Sequence, residues 1–225
     1  MIDRLRRHPD ALHLGLMLAL TFSTGIVDAV GYLGLDRVFT GNMTGNVVIL
    51  GMALTGANGL PIVGPIIALV LFMAGAATSG RTLRPVAAGW SGRSTGLFTV
   101  VGVVLLAAAV PMLAIAHPPE PLKLTVTGCL GLAMGMQAGA ARHIGVKDVT
   151  TVVVTSTIVG LAFDSRIAGG SKQPWLRRGG AIVLIGTGAA VGALLLRIHI
   201  GAGILAAALI TIVVAVLGHL GRPGS

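Results

Sequence analysis

Between Arg37 and Arg81 the chain carries no charged side chain. A soluble domain rarely goes so far without one, because about a quarter of its residues are normally charged. Here the charged share of the whole chain is 10% and the apolar share 54%. The run is also too long for one helix through a bilayer, whose hydrocarbon core of about 30 Å needs roughly 20 apolar residues. Asn58-Gly59-Leu60-Pro61 divides it by turn chemistry into 40–55 and 62–80. Aromatic residues make up only 4%, too few for a soluble core that would rely on them for buried area. Lipid is the solvent that fits.

Further apolar runs at 12–35, broken only by Asp28, and at 96–116, 124–141, 179–196 and 200–218 approach or reach crossing length. Two pieces do not. Segments 40–54 and 149–163 would be only about 22 Å long as helices, and both begin with small polar residues. The Lys and Arg residues decide how to treat them, since cytoplasmic loops concentrate cations. With both pieces re-entrant and the N-terminus inside, only Arg37, Lys123 and Arg197 of the 16 cations fall outside. With eight full crossings the cations divide almost evenly. The expectation is therefore an all-α membrane protein. It has about six transmembrane helices plus two short re-entrant or broken Thr/Gly-rich helices, and both termini are cytoplasmic. Arg4, Arg6 and Arg7 ahead of the first run imitate a signal peptide, but the run is long and lacks a cleavage site, so it reads as an uncleaved span.

Within a single membrane domain (1–225), halves of about 11–116 and 122–219 repeat each other. Thr40, Thr44 and Asn46 stand 111 positions before Thr151, Thr155 and Thr157. Gly75-Ala76-Ala77 stands 113 before Gly188-Ala189-Ala190, and Gly25-Ile26-Val27-Asp28 aligns near Gly135-Met136-Gln137. Three crossings per half is an odd number, so the second half enters from the opposite face. Such an inverted repeat brings broken helices together at a binding site in secondary transporters.

The stretch from Thr24-Gly25-Ile26-Val27-Asp28 to Tyr32-Leu33, followed by Val38-Phe39-Thr40-Gly41-Asn42-Met43-Thr44-Gly45-Asn46, resembles the YoaK-like family of small bacterial multi-pass membrane proteins of unknown function. Gly135-Met136-Gln137-Ala138-Gly139-Ala140, Asp148-Val149-Thr150-Thr151 and Thr155-Ser156-Thr157 are similar to its second hallmark, where members often carry Thr-Gly-Thr in the last place. The resemblance runs from about residue 11 to 219. It implies a multi-pass protein of the bacterial inner membrane and no settled substrate.

Asp28 is the one acid well inside an uncharged run. Burying a charge at the centre of a membrane helix costs about 2.5–3.5 kcal/mol on insertion scales, so it should face a cavity or a partner. By helical rise it lies nearer the outer side than the middle. Thr21, Thr24, Gly25, Asp28 and Tyr32 share its face at helical spacing. The Asp either carries a site or caps the backbone of the broken segment. Thr40, Asn42, Thr44 and Asn46, with Thr151, Thr155 and Thr157 from the other half, offer hydrogen bonds to non-helical backbone or to a solute, and Gly41 and Gly45 would permit unusual dihedrals. Gln137 either answers Asp28 from the other half or bonds between helices. Gly131, Gly135 and Gly139 read as a close-packing seam.

Motifs of soluble catalysis are lacking in the sequence, as is metal-ligand spacing for the six His and Cys129. Gly186-Thr187-Gly188 has the wrong spacing for a dinucleotide fingerprint. The cations do not cluster on an aromatic-bearing soluble scaffold, which argues against nucleic acid despite a net charge of +9. The expectation is no enzyme, no cofactor and no metal. It is instead a secondary transporter or permease for a small solute, with a passive channel or a non-transporting scaffold as the alternatives. The expected partners are the bilayer and a small-molecule or ion substrate, with homo-oligomerisation left open.

Overall fold

The structure is a computed structural model and describes residues 9–57, 59–146, 154–171 and 173–222. Its elements in chain order are α1 (Pro9–Gly34), α2 (Met43–Leu54), α3 (Val63–Leu83), α4 (Gly92–Ala114), α5 (Glu120–Ile144), α6 (Val154–Phe163), a 3-10 turn (Arg166–Ala168), α7 (Trp175–Ile198) and α8 (Ile200–Gly221). No strand occurs among the described residues. Six of the helices are long and apolar enough to cross a membrane. The other two are 12 and 10 residues long. At about 1.5 Å per residue they reach only about 18 and 15 Å, short of a crossing.

The long helices outrun their apolar cores because caps lying in polar sequence set their ends. Ser91 and Ser94 form a reciprocal capping box that starts α4 ahead of the apolar run, with Ser94 N donating to Ser91 Oγ at 3.1 Å. Gly145, at φ 71°, closes α5 in the left-handed conformation that glycine adopts cheaply. His199 alone joins α7 to α8, and its ring nitrogen accepts from Gly201 N at 3.3 Å.

Contacts at the helix ends fix which segments share an end of the bundle. Arg37 donates to Gly59 O at 3.1 Å, Gly64 lies against Val38, and Gly34 lies against Leu196 and Ile200. The end of α1, the start of α3 and the α7–α8 junction therefore sit together. At the other end, His143 Nε2 is 3.0 Å from Ala87 O, Arg93 donates to Thr82 O at 3.0 Å, and Gly92 lies against Arg222. Consequently α2 leaves and returns at one end, while α6 leaves and returns at the opposite one.

Helices α1 and α5 form the middle, with 72% and 67% of their most apolar windows buried against 17% for α7. The main pairings are α3 with α5, α1 with α7, α4 with α8, α1 with α8, and α4 with α5. Smaller ones join α2 to α3, α6 to α7, α3 to α4, and α7 to α8. Exchanging α1–α4 for α5–α8 leaves this set unchanged. Even single contacts recur. A Cβ on Gly135 would overlap Phe72 O, and one on Gly25 would overlap Ile185 O. Gly25 and Gly135 are 110 positions apart, and Phe72 and Ile185 are 113 apart. Likewise Gly75 sits on Leu132 O and Gly188 on Phe22 O. Gly131 and Gly139 complete the seam of α5 against Ala68 and Ser79. Such small residues let membrane helices approach backbone to backbone. Val47, Val70, Val103, Val183 and Val213 are among the apolar side chains left on the outside, where lipid is their solvent.

Candidate functional site

On α1 the four-residue spacing of Thr24, Asp28 and Tyr32 puts all three side chains on one face. The chain then reverses. Asp36 and Arg37 adopt positive φ, 66° and 56°, and Val38 N returns to Gly31 O at 3.3 Å. This turn carries residues 39–42 back along the face that holds Asp28. There Asp28 Oδ1 accepts from Thr40 N at 3.0 Å and from Gly41 N at 2.7 Å, and the Asn42 amide is directed at the same carboxyl. Of the two roles open to this Asp, holding the backbone of the broken segment is therefore realised.

Asn46, one turn into α2, grips the same strip of chain. Its Oδ1 accepts from Phe39 N at 2.9 Å and its Nδ2 donates to Phe39 O at 2.5 Å. Asn42 caps α2, its Oδ1 accepting from Gly45 N at 3.3 Å. The Phe39 ring stacks on Tyr32, centroids 4.9 Å apart. Gly41 and Gly45 do not serve as dihedral hinges, since neither has positive φ. Close approach is what requires them: a Cβ on Gly41 would stand 2.9 Å from Thr24 Cγ2, and one on Gly45 2.6 Å from the Phe39 ring.

These pieces border a partly open cavity of about 540 Å³. Thr24, Asp28, Tyr32, Asn42 and Thr44 line it from the first half, and Thr155 lines it from the N-terminal end of α6 in the second. The two short helices, entering from opposite ends of the bundle, thus meet at one space. Thr40, Asn46, Gln137 and Thr157 are buried but do not line it. Thr40 and Asn46 act behind the wall, through the loop backbone and Phe39. Gln137 reaches across from α5 to donate to Thr24 Oγ1 at 3.0 Å rather than to Asp28, so its role is the bond between helices. Thr24 Oγ1 in turn donates to Leu20 O at 2.9 Å. Thr21 also turns away from the cavity and donates to Met17 O at 2.9 Å. Thr151 lies outside the described residues.

Sequence reasoning passed over the apolar wall: Phe39 as a lining residue, Val48, Ile49, Val154 and Ile185. Phe39 lies past the end of α1, beyond the reach of helical spacing from Tyr32, and the aliphatic residues carry no mark that separates a cavity wall from a lipid face. Among the described residues that line the cavity, Asp28 carries the one formal charge, and none of them is Lys, Arg or His. Arg37 and Arg178 are engaged elsewhere, Arg178 with Asp164 at 2.6 Å. No group of three His, Cys, Asp or Glu that could hold a metal occurs among the described residues.

Residues 16–217 match the family described as Protein of unknown function (DUF1275). The chain is 31% identical over 192 residues to UPF0700 transmembrane protein YoaK of Bacillus subtilis (strain 168), an alignment that takes in 80% of this chain and 82% of that protein. No solved structure matches. The chain is a multi-pass membrane protein and belongs to the DUF1275 family, with YoaK among its relatives.

Proposed function

We propose that the protein is a small secondary transporter or permease of the bacterial inner membrane, built as an inverted repeat with both termini cytoplasmic. One observation carries the reading: α2 and α6 enter from opposite ends of the bundle and reach the same cavity, beside Asp28. Broken helices that meet inside the bilayer are the means by which transporter repeats build a midplane site and expose it to one face at a time. A scaffold has no use for such a space, because polar backbone at this depth could be satisfied by packing alone. The pairing set that survives exchange of the halves supports the repeat. The odd number of crossings in each half makes it inverted.

Orientation follows from charge. Among the described residues, Arg81, Arg84, Arg93, Arg142, Arg166, Arg177, Arg178 and Arg222 belong to the end that holds the α3–α4 turn, while Arg37, Lys123 and Arg197 belong to the other. The cation-rich end is the cytoplasmic one. In this reading Asp28 couples solute movement to a proton or cation, because its carboxylate is also what holds the loop before α2 in place.

The test is two-sided labelling of Thr44→Cys and Thr155→Cys in a Cys129→Ser chain, with a membrane-impermeant maleimide applied to oriented vesicles. Thr44→Cys should react from the periplasmic face and Thr155→Cys from the cytoplasmic face. Locking either with the reagent should suppress reaction of the other. Independent labelling of both at once would indicate an open channel, and labelling of neither would leave a scaffold.

A further inference from the structure

The cavity has a chemistry of its own, and this inference rests on the transport reading of the same site. We infer that the solute it takes is an organic cation with a small ammonium head and an apolar or aromatic body. Asp28 is nine-tenths buried, at membrane depth, and the cavity it lines contains no Lys, Arg or His among the described residues. A carboxylate there needs a counter-charge, and none of the described residues lining the cavity provides one. Three loop amides are directed at it, whereas an ionised carboxyl offers about four acceptor positions, so about one remains for the occupant.

The neighbouring wall narrows the class of cation. Tyr32 lies one turn along α1 from Asp28 and is stacked on Phe39 at 4.9 Å, and both rings line the cavity. A carboxylate beside an aromatic pair is the combination that holds ammonium groups, the ring faces attracting the positive charge that the carboxylate neutralises. Val48, Ile49, Val154 and Ile185 furnish an apolar remainder. At about 540 Å³ the space suits a solute of metabolite size and is far larger than a bare metal ion needs. Thr24, Thr44 and Thr155 add hydroxyls able to accept from an N–H. An anionic solute would meet Asp28 without a compensating cation, so the site rejects it.

The experiment uses the full chain in detergent, with equilibrium dialysis of benzyltrimethylammonium as probe and benzenesulfonate as its anionic counterpart. The ammonium probe should bind saturably and the sulfonate should not. Asp28→Asn should weaken binding at least tenfold. Tyr32→Ala should weaken it about threefold or more, with recovery in Tyr32→Phe. Thr155→Lys, which tethers a cation inside the cavity from the opposite half, should abolish it. Because Asp28 also holds the loop, monodisperse elution is checked first; if Asp28→Asn does not fold, Thr155→Lys and the Tyr32 pair decide. Absence of saturable binding, or binding indifferent to Thr155→Lys and Tyr32→Ala, overturns the inference. That failure is separable from failure of the transport reading. Two-sided labelling with no cation binding leaves a transporter of another solute, whereas cation binding with one-sided labelling leaves a binding site without transport.

Discussion

Asp28 in α1 and Ala138 in α5 occupy matching places, each three residues beyond a glycine, Gly25 or Gly135, that seats its helix on a neighbour's carbonyl. At the same offset of 110, Thr24 stands against Met134 and Gln137 against Val27. In the short helices, Asn46, which grips Phe39 twice, has Thr157 as its counterpart 111 positions on. The halves therefore share their packing and differ in their polar groups. Backbone approach in lipid tolerates little beyond glycine, so α1 and α5 both carry small residues at these contacts. A site needs its carboxylate once, and a second buried acid would add a second desolvation cost with nothing to neutralise it. The second half contributes the facing wall, Val154 and Thr155, rather than a second charge.

The largest effects should come from breaking the shared part. Gly25→Leu and Gly135→Leu both drive a side chain into a helix backbone, against Ile185 O and Phe72 O. Overpacking costs about 1–3 kcal/mol where neighbours can yield and more where the obstacle is backbone. Both variants should lose the monodisperse, cooperatively unfolding species in size-exclusion and thermal-melt measurements, and to the same degree. Tolerance at one position alone would show that the two contacts are not equivalent.

Next come changes on the polar side, where the halves should respond unequally. Asn46→Ala strands the Phe39 amide and carbonyl, a loss of about 1–3 kcal/mol. Cleavage by trypsin after Arg37 reports opening of this loop, and the variant should be cut about tenfold faster for each 1.4 kcal/mol lost. Thr157→Val should raise that rate far less. Gly41→Ala should cost about 1 kcal/mol, since its Cβ would stand 2.9 Å from Thr24 Cγ2. Thr24→Ser removes that methyl and should restore the melting temperature of Gly41→Ala; failure to do so would place the strain elsewhere.

How far these features could be read from the sequence follows the same division. The six long helices are legible because a bilayer demands about 20 apolar residues, and such runs stand out between Arg and Lys groups. The short pieces were legible through their length and the distribution of cations. Asp28, Asn42, Thr44 and Thr155 stood out because polar groups are rare in uncharged runs. Helix ends were not legible to the residue, since Ser91 and His199 begin helices outside the apolar stretches. Val48, Ile49, Val154 and Ile185 were invisible for a deeper reason: an apolar side chain lining a cavity looks the same in sequence as one facing lipid. The turn at Asp36 and Arg37 carries no glycine, so its positive φ left no mark either. The steric need for Gly41 and Gly45 appears only once Thr24 and Phe39 are placed against them.

The smallest expected effect sharpens the comparison most, because it tests the polar bond between α1 and α5. Gln137 Nε2 donates to Thr24 Oγ1 at 3.0 Å, while Gln137 Oε1 is buried and has no hydrogen-bond partner among the described residues. Interhelical side-chain bonds in membranes average about 0.6 kcal/mol, because the separated helices find other partners. Gln137→Leu gives up that bond but also relieves an unpaired carbonyl of its desolvation cost, which is of similar or larger size. The single variant should therefore melt within about 0.5 kcal/mol of the parent or slightly above it. Thr24→Val alone should cost more, since it strands the Gln137 amide as well. In the double variant the loss should shrink, and the coupling read from the four proteins should be about 0.6 kcal/mol. A coupling of 2 kcal/mol or more would mean that Gln137 braces the cavity wall, and that the second half contributes to the polar machinery from behind as well as through Thr155.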